Sequence, residues 1–181
     1  MSISSDQLEE IKRLISSSFK SKKSFGYSSL LHFQEQSNTN SSSIQALAQK
    51  TPCLIASIVA DITDSNEEIA VLALKCLRFM IYHPSLVAAI LVDDASLVLQ
   101  SVTKLIMATE MKPACSLGAW CISIQNLEAS FLAAHFRSVL QAVVHALDNP
   151  MVSLSTTFEA MQAVMKLAAQ LSEQMREFSH I

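Results

Sequence analysis

Three stretches of this 181-residue chain repeat one theme: an apolar helix pattern, a short polar break, then a second apolar helix pattern. They run Leu54 to Tyr82, Leu97 to Gln125 and Phe136 to Leu171. The breaks are Asp64-Ser65-Asn66, Thr109-Glu110-Met111 and Asp148-Asn149-Pro150, roughly 40–45 residues apart, the period of HEAT and armadillo arrays. Each helix pair in such an array buries its apolar face against its neighbours. The pattern therefore predicts an all-α fold, an α-solenoid of HEAT/armadillo-like hairpins. Arrays of this kind are usually binding surfaces and rarely enzymes.

Composition supports helix over sheet. Half the chain is hydrophobic, and two glycines and four prolines leave little material for hairpin turns. The most apolar window, Ile69 to Val92, is broken by Lys75, Arg78, His83 and Pro84, so a membrane span is not expected. No secretory h-region is apparent at the polar, Ser-rich N-terminus. Cys53, Cys76, Cys115 and Cys121 lie in apolar stretches with no C-x-x-C pair, which predicts buried, reduced thiols.

Residues 1–50 read differently, as a partly disordered, basic and Ser-rich segment ahead of the array at 51–181. Asp6 to Ser18 predicts an amphipathic helix with Leu8, Ile11, Leu14 and Ile15 on one face, and Tyr27 to Gln36 a second short one. Ser37 to Ser43 reads as a mobile polar loop. The array is expected to open near Pro52, a good first-turn residue. Ser96 is expected to cap a helix from Leu97 to Ala108, and Pro113 to open one reaching Ile124. Helices over Glu128 to Leu147 and Val152 to Phe178 would complete the array, its end cut off within the early repeats.

Candidate chemistry is sparse. His135 and His145 fall on the polar side of one helix, ten residues apart rather than three or four, so solvent-exposed histidines are expected rather than a metal site. No G-x-S-x-G, phosphate loop or HExxH occurs, so neither catalysis nor a cofactor is predicted. Trp120, flanked by Ala119, Cys121 and Ile122, reads as a core residue, as do Leu72, Leu77, Leu140 and Val143. Lys12, Arg13, Lys20, Lys22 and Lys23 concentrate basic charge, interleaved with Phe19, Phe25 and Tyr27, and could make a weak nucleic-acid contact. From Thr51 onward seven basic residues face twelve acidic ones, a net of −5, so tight binding by the array is not expected. The last helix carries Met161, Val164 and Met165 on a stripe wider than one neighbour covers, a candidate protein interface and point of self-association.

Three segments, in order and spacing, resemble the N-terminal HEAT-like domain of the Rap-interacting factor (Rif-one) family. Ala70-Val-Leu-Ala-Leu-Lys-Cys-Leu-Arg-Phe-Met-Ile-Tyr-His-Pro84 looks like its "aLxxLgfclynP" helix. Gly118-Ala-Trp-Cys-Ile-Ser-Ile-Gln125 is similar to its "alWviskQ" helix, and Phe158-Glu-Ala-Met-Gln-Ala-Val-Met-Lys-Leu167 to its "feAlnvivrL" helix. The resemblance implies a non-enzymatic nuclear scaffold, acting at telomeres, in replication timing and in double-strand-break repair, partly by recruiting protein phosphatase one. The chain departs from the family in lacking a phosphatase-docking R/K-V/I-x-F motif; Lys22-Lys-Ser-Phe25 is the nearest sequence. It also lacks the family's distal DNA-binding region. A stand-alone HEAT/armadillo-like adaptor for an unrelated protein is the alternative.

Overall fold

A computed structural model of the chain describes residues 3–64, 66–108, 113–149, 153–172 and 176. It contains α1 (Ile3–Ile15), α2 (Lys20–Ser37), α3 (Ser41–Asp61), α4 (Glu67–Tyr82), the single turn α5 (Pro84–Val87), α6 (Val92–Met107), α7 (Pro113–Ile124), α8 (Ala129–Asp148) and α9 (Leu154–Gln170). Among the described residues there is no strand.

Short links fold consecutive helices into pairs, α1/α2, α3/α4, α6/α7 and α8/α9. The pairs stack in two layers. α2, α4, α7 and α9 follow one another in one layer, and α1, α3, α6 and α8 in the other. Leu77, Ala119, Val143 and Ala163 are buried where the layers meet. The protein is an all-α solenoid, as the repeated helix–break–helix pattern predicts.

Side chains set several of the boundaries. The Asn40 carboxamide accepts bonds from the backbone N–H groups of Ser42 and Ser43, and Asn66 does the same for Ile69. Asp64 Oδ1 accepts from Asn66 N at 2.7 Å, which fixes the break ahead of α4. His83 has extended backbone before Pro84, and α4 stops there. The breaks at Thr109-Glu110-Met111 and at Pro150, and the proposed end at Phe178, lie outside the described residues.

The N-terminal third departs from its sequence reading. α2 begins at Lys20 rather than Tyr27, so most of the basic stretch between the two expected helices is itself helical. α3 begins at Ser41, where a polar loop was expected, and runs through Pro52 rather than starting there. Both differences have a packing cause. Gly26 is buried against α1, Tyr27 is buried with its hydroxyl on Asp61 of α3, and Leu47 and Thr51 are buried on α3, so tertiary contact overrides the weak local helix signal. α1 keeps its predicted face, with Leu8, Ile11, Leu14 and Ile15 all buried. Residues 3–37 thus supply a fourth helix pair, and residue 51 falls inside a helix.

Further along, α6 opens at Val92 instead of Leu97, which places Asp93 and Asp94 in its first turn and Ser96 inside it. Two carboxylates there face the positive end of the helix dipole. Cys76, Cys115 and Cys121 are buried as expected, but Cys53 is exposed. His135 and His145 are half-buried rather than solvated, and His135 packs on the Phe131 ring at 4.8 Å.

Candidate interaction surface

The outer side of the α2–α4–α7–α9 layer carries the polar and aromatic groups that could meet a partner. Trp120, expected in the core, is half-buried, because α7 turns it toward α4. The Arg78 guanidinium lies over its ring at 3.9 Å from the centroid. A guanidinium so placed gains cation–π attraction and is held in one orientation. Among the described residues no carboxylate pairs with it. Leu72, on the same helix as Arg78, is also half-buried rather than core.

Around this pair, Asn38, Phe79, Tyr82 and Ile124 complete a shallow cleft of about 260 Å³. Tyr82 is 58% exposed, so the cleft joins aromatic surface, a carboxamide and a fixed cation. That combination suits a short peptide segment, with an apolar side chain against the rings and an acceptor at Arg78.

The floor of the cleft is braced from the far side. Asn126 N donates to Ile81 O at 2.8 Å, and its carboxamide donates to Tyr82 O, so the α7–α8 link is hooked over the end of α4. Gln125 is buried: its Nε2 donates to Gln170 Oε1 at 2.6 Å and its Oε1 accepts from Leu127 N at 2.7 Å. A Gln at this position therefore ties α7, the link and α9 together.

The five basic residues do not form one free patch. Arg13 pairs with Glu10 at 2.5 Å, and Lys23 pairs with the buried carboxylate of Asp61 at 2.8 Å. Lys20 and Lys22 are exposed, Lys22 lying 5.2 Å from the Phe19 ring, and Lys12 is half-buried near Glu9. Phe19 and Phe25 are both exposed. On α9, Met161 and Met165 are exposed, whereas Val164 is half-buried and packs against the core. Phe158 and Leu154, which the sequence reading did not single out as interface residues, are exposed beside them. A check of the four-three-four spacing would have found them.

A larger hollow of about 770 Å³ lies between α6 and α8, lined by Met107, Leu140, Val144 and His145 among others. No described helix is long and apolar enough to cross a membrane.

Comparison with known proteins agrees with this architecture. A designed armadillo repeat protein, YIII(Dq)4CqI, superposes with a TM-score of 0.73 at 15% identity, over 96% of this chain and 69% of its own. An engineered protein, Northeast Structural Genomics Consortium target OR497, gives 0.66 at 17% identity, over 90% and 38%. A second, target OR329, gives 0.57 at 14%, over 93% and 80%. At such identities these likenesses establish the fold alone. No curated protein sequence matches significantly. The family described as "Rap1-interacting factor 1 N terminal" matches residues 16–181, from the end of α1 through the last residue. A match over nearly the whole chain, on a solenoid that gives its Trp, Gln and Pro landmarks clear structural roles, places this protein in the Rap1-interacting factor 1 N-terminal family.

Proposed function

We propose that the chain is a nuclear, chromosome-associated scaffold that acts through protein contacts in telomere maintenance, replication timing and double-strand-break repair. The observation that carries this reading is the family match over residues 16–181. The cleft at Arg78 and Trp120 gives such a scaffold a place to hold a partner segment, since a solenoid offers its layer face as an extended binding surface. No reaction is assigned to the chain. Phosphatase recruitment is not assigned either, because Lys22-Lys-Ser-Phe25 has the wrong side chains for docking and lies in the helical α2.

The test is chromatin fractionation with proximity labelling of the tagged whole chain in its own cells. The wild type should be recovered with telomeric and replication-origin chromatin. Arg78→Glu combined with Trp120→Ala should lose its labelled partners while keeping its helical circular dichroism. Recovery in the cytosol, with normal telomere length and origin timing after depletion, would favour an adaptor for an unrelated protein.

A further inference from the structure

Arg78 is half-buried, yet the fold uses none of its hydrogen-bonding capacity. A guanidinium carries five N–H donors in a planar fork. Among the described residues those of Arg78 meet no acceptor, and its ring contact with Trp120 covers one side of the group only. Lys75, one turn earlier on α4, is exposed and equally unpaired among the described residues. Asn38 is exposed at the end of α2, and among the described residues its carboxamide bonds to nothing. No acidic side chain lines the cleft, and α7 carries no charge at all. Only α2, α4 and α7, with the cap residue Asn38, contribute to this cleft. α9 follows α7 in the same layer, so further helix pairs would stack beyond α9 and leave the cleft open.

We propose that the cleft takes a short acidic peptide segment, with a Glu or Asp carboxylate on Arg78 and a neighbouring large apolar side chain on Phe79, Tyr82 and Ile124. This names the kind of partner for the surface at which the scaffold reading places partner binding, and it rests on that reading. The two oxygens of a carboxylate match two parallel N–H groups of a guanidinium, a pairing that is stronger than a neutral hydrogen bond. Trp120 already holds the guanidinium in place, so less freedom is lost when the pair forms. The Asn38 carboxamide offers one donor group and one acceptor, which suits the C=O and N–H of an extended main chain.

Other ligands fit less well. A phosphate dianion calls for several converging cations, whereas Arg78 is the one cation lining the cleft and the array from residue 51 onward is net acidic. A free small anion would leave the aromatic surface uncovered. At about 260 Å³ the cleft is also smaller than the roughly 300–1,000 Å³ of ordinary small-molecule pockets, so it has room for one or two side chains. The rest of the ligand must lie along the surface, as a peptide does.

The experiment is fluorescence anisotropy of labelled peptides with blocked termini, titrated with the whole chain. Each peptide carries Glu or Asp at its centre and Leu, Phe or Met at varied flanking positions; matched sets carry Gln, Lys or phosphoserine at the centre. The Glu and Asp sets should bind, and the Gln set should bind about tenfold more weakly, since the bond to a charged acceptor is lost. Arg78→Lys keeps the charge without the fork and should also weaken the Glu set, while Arg78→Glu should abolish its binding, both with unchanged circular dichroism. Equal binding of the Glu and Gln sets, tighter binding of the phosphoserine set, or no binding by any set overturns the proposal. If the cellular partners still depend on Arg78 and Trp120 in that event, the scaffold reading stands and the acidic peptide alone is wrong.

Discussion

Among the described residues, Asp61 is the one buried carboxylate, at the junction of the N-terminal pair with the rest of the molecule. Tyr27 donates its hydroxyl to Asp61 Oδ2 at 2.5 Å, and Lys23 reaches Oδ1 at 2.8 Å. Burial first, and then the carboxylate itself, push the Tyr27 phenol well above its ordinary range, so it stays a donor. Tyr27→Phe removes the donor and leaves a buried acceptor half-satisfied. The expected cost is about 1–3 kcal/mol, read from the urea midpoint. This contact joins residues 34 positions apart, and no local pattern pairs them. By contrast, the burial of Leu77 and Val143 was legible, because helical periodicity alone fixes which side faces inward. Trp120 is half-buried for a reason of the same kind. Its neighbours in sequence are apolar, but the group that decides its surroundings is Arg78 on another helix.

Buried thiols give a second test at this scale. Desolvation raises the Cys76 thiol far above its usual value and pushes Cys121 up to about 12. With the folded pKa raised, the unfolded chain loses these protons first. Their contribution is therefore fully present below the unfolded value of 9.0 and lost progressively as the pH rises towards about 12. Tyr27 acts in the same direction above 10.0. Denaturant midpoints should thus fall from about pH 9 upward. Under native conditions a thiol reagent should modify Cys53 quickly and reach Cys76 and Cys121 only on unfolding.

Among the elements, the two glycines make a controlled comparison, since both sit inside helices where Ala is the better former by about 1 kcal/mol. A Cβ at Gly26 would stand 2.8 Å from Leu14 Cβ and 2.9 Å from Ile15 N. Neither atom is a flexible tip, so α1 must move away. Gly26→Ala should destabilise by about 1–3 kcal/mol despite the propensity gain. At Gly118 the nearest atom is Ile106 Cγ1 at 3.3 Å, followed by the tip of Leu105 at 3.5 Å. Gly118→Ala should be within about 0.5 kcal/mol of neutral. Thermal melts of the two variants decide both. The later helices were readable because breaks and caps such as Asp64 and Asn66 are written locally. The first turns of α2 and the first half of α3 were not, because Gly26 and the serines are poor helix formers that packing holds in place.

At the level of the whole molecule, charge decides what the solenoid can attract. Arg13 and Lys23 are already paired, which leaves Lys12, Lys20 and Lys22 to meet a polyanion beside an array of net −5 from residue 51 onward. Duplex DNA measured by fluorescence anisotropy should bind weakly, with a log–log salt slope of no more than about 3. Lys20→Glu and Lys22→Glu should reduce it further, and tight binding at physiological salt would contradict the charge distribution. Point substitutions are the proper instrument, because deleting residues 1–26 would strip Leu8, Ile11 and Ile15 from the core.

The brace at Gln125 and Asn126 has a mechanical meaning. Stacked helix pairs tend to peel away one after another under load, since each touches only its neighbours. Here the link leaving α7 is bonded backward to the end of α4 and forward to Gln170 on α9, so three successive pairs share one knot. Pulled from its ends by optical tweezers, the chain should yield those pairs in one rupture. Asn126→Ala with Gln125→Ala should turn that event into a staircase of smaller ones. A solenoid tied in this way would then hold its shape up to a threshold and give way all at once.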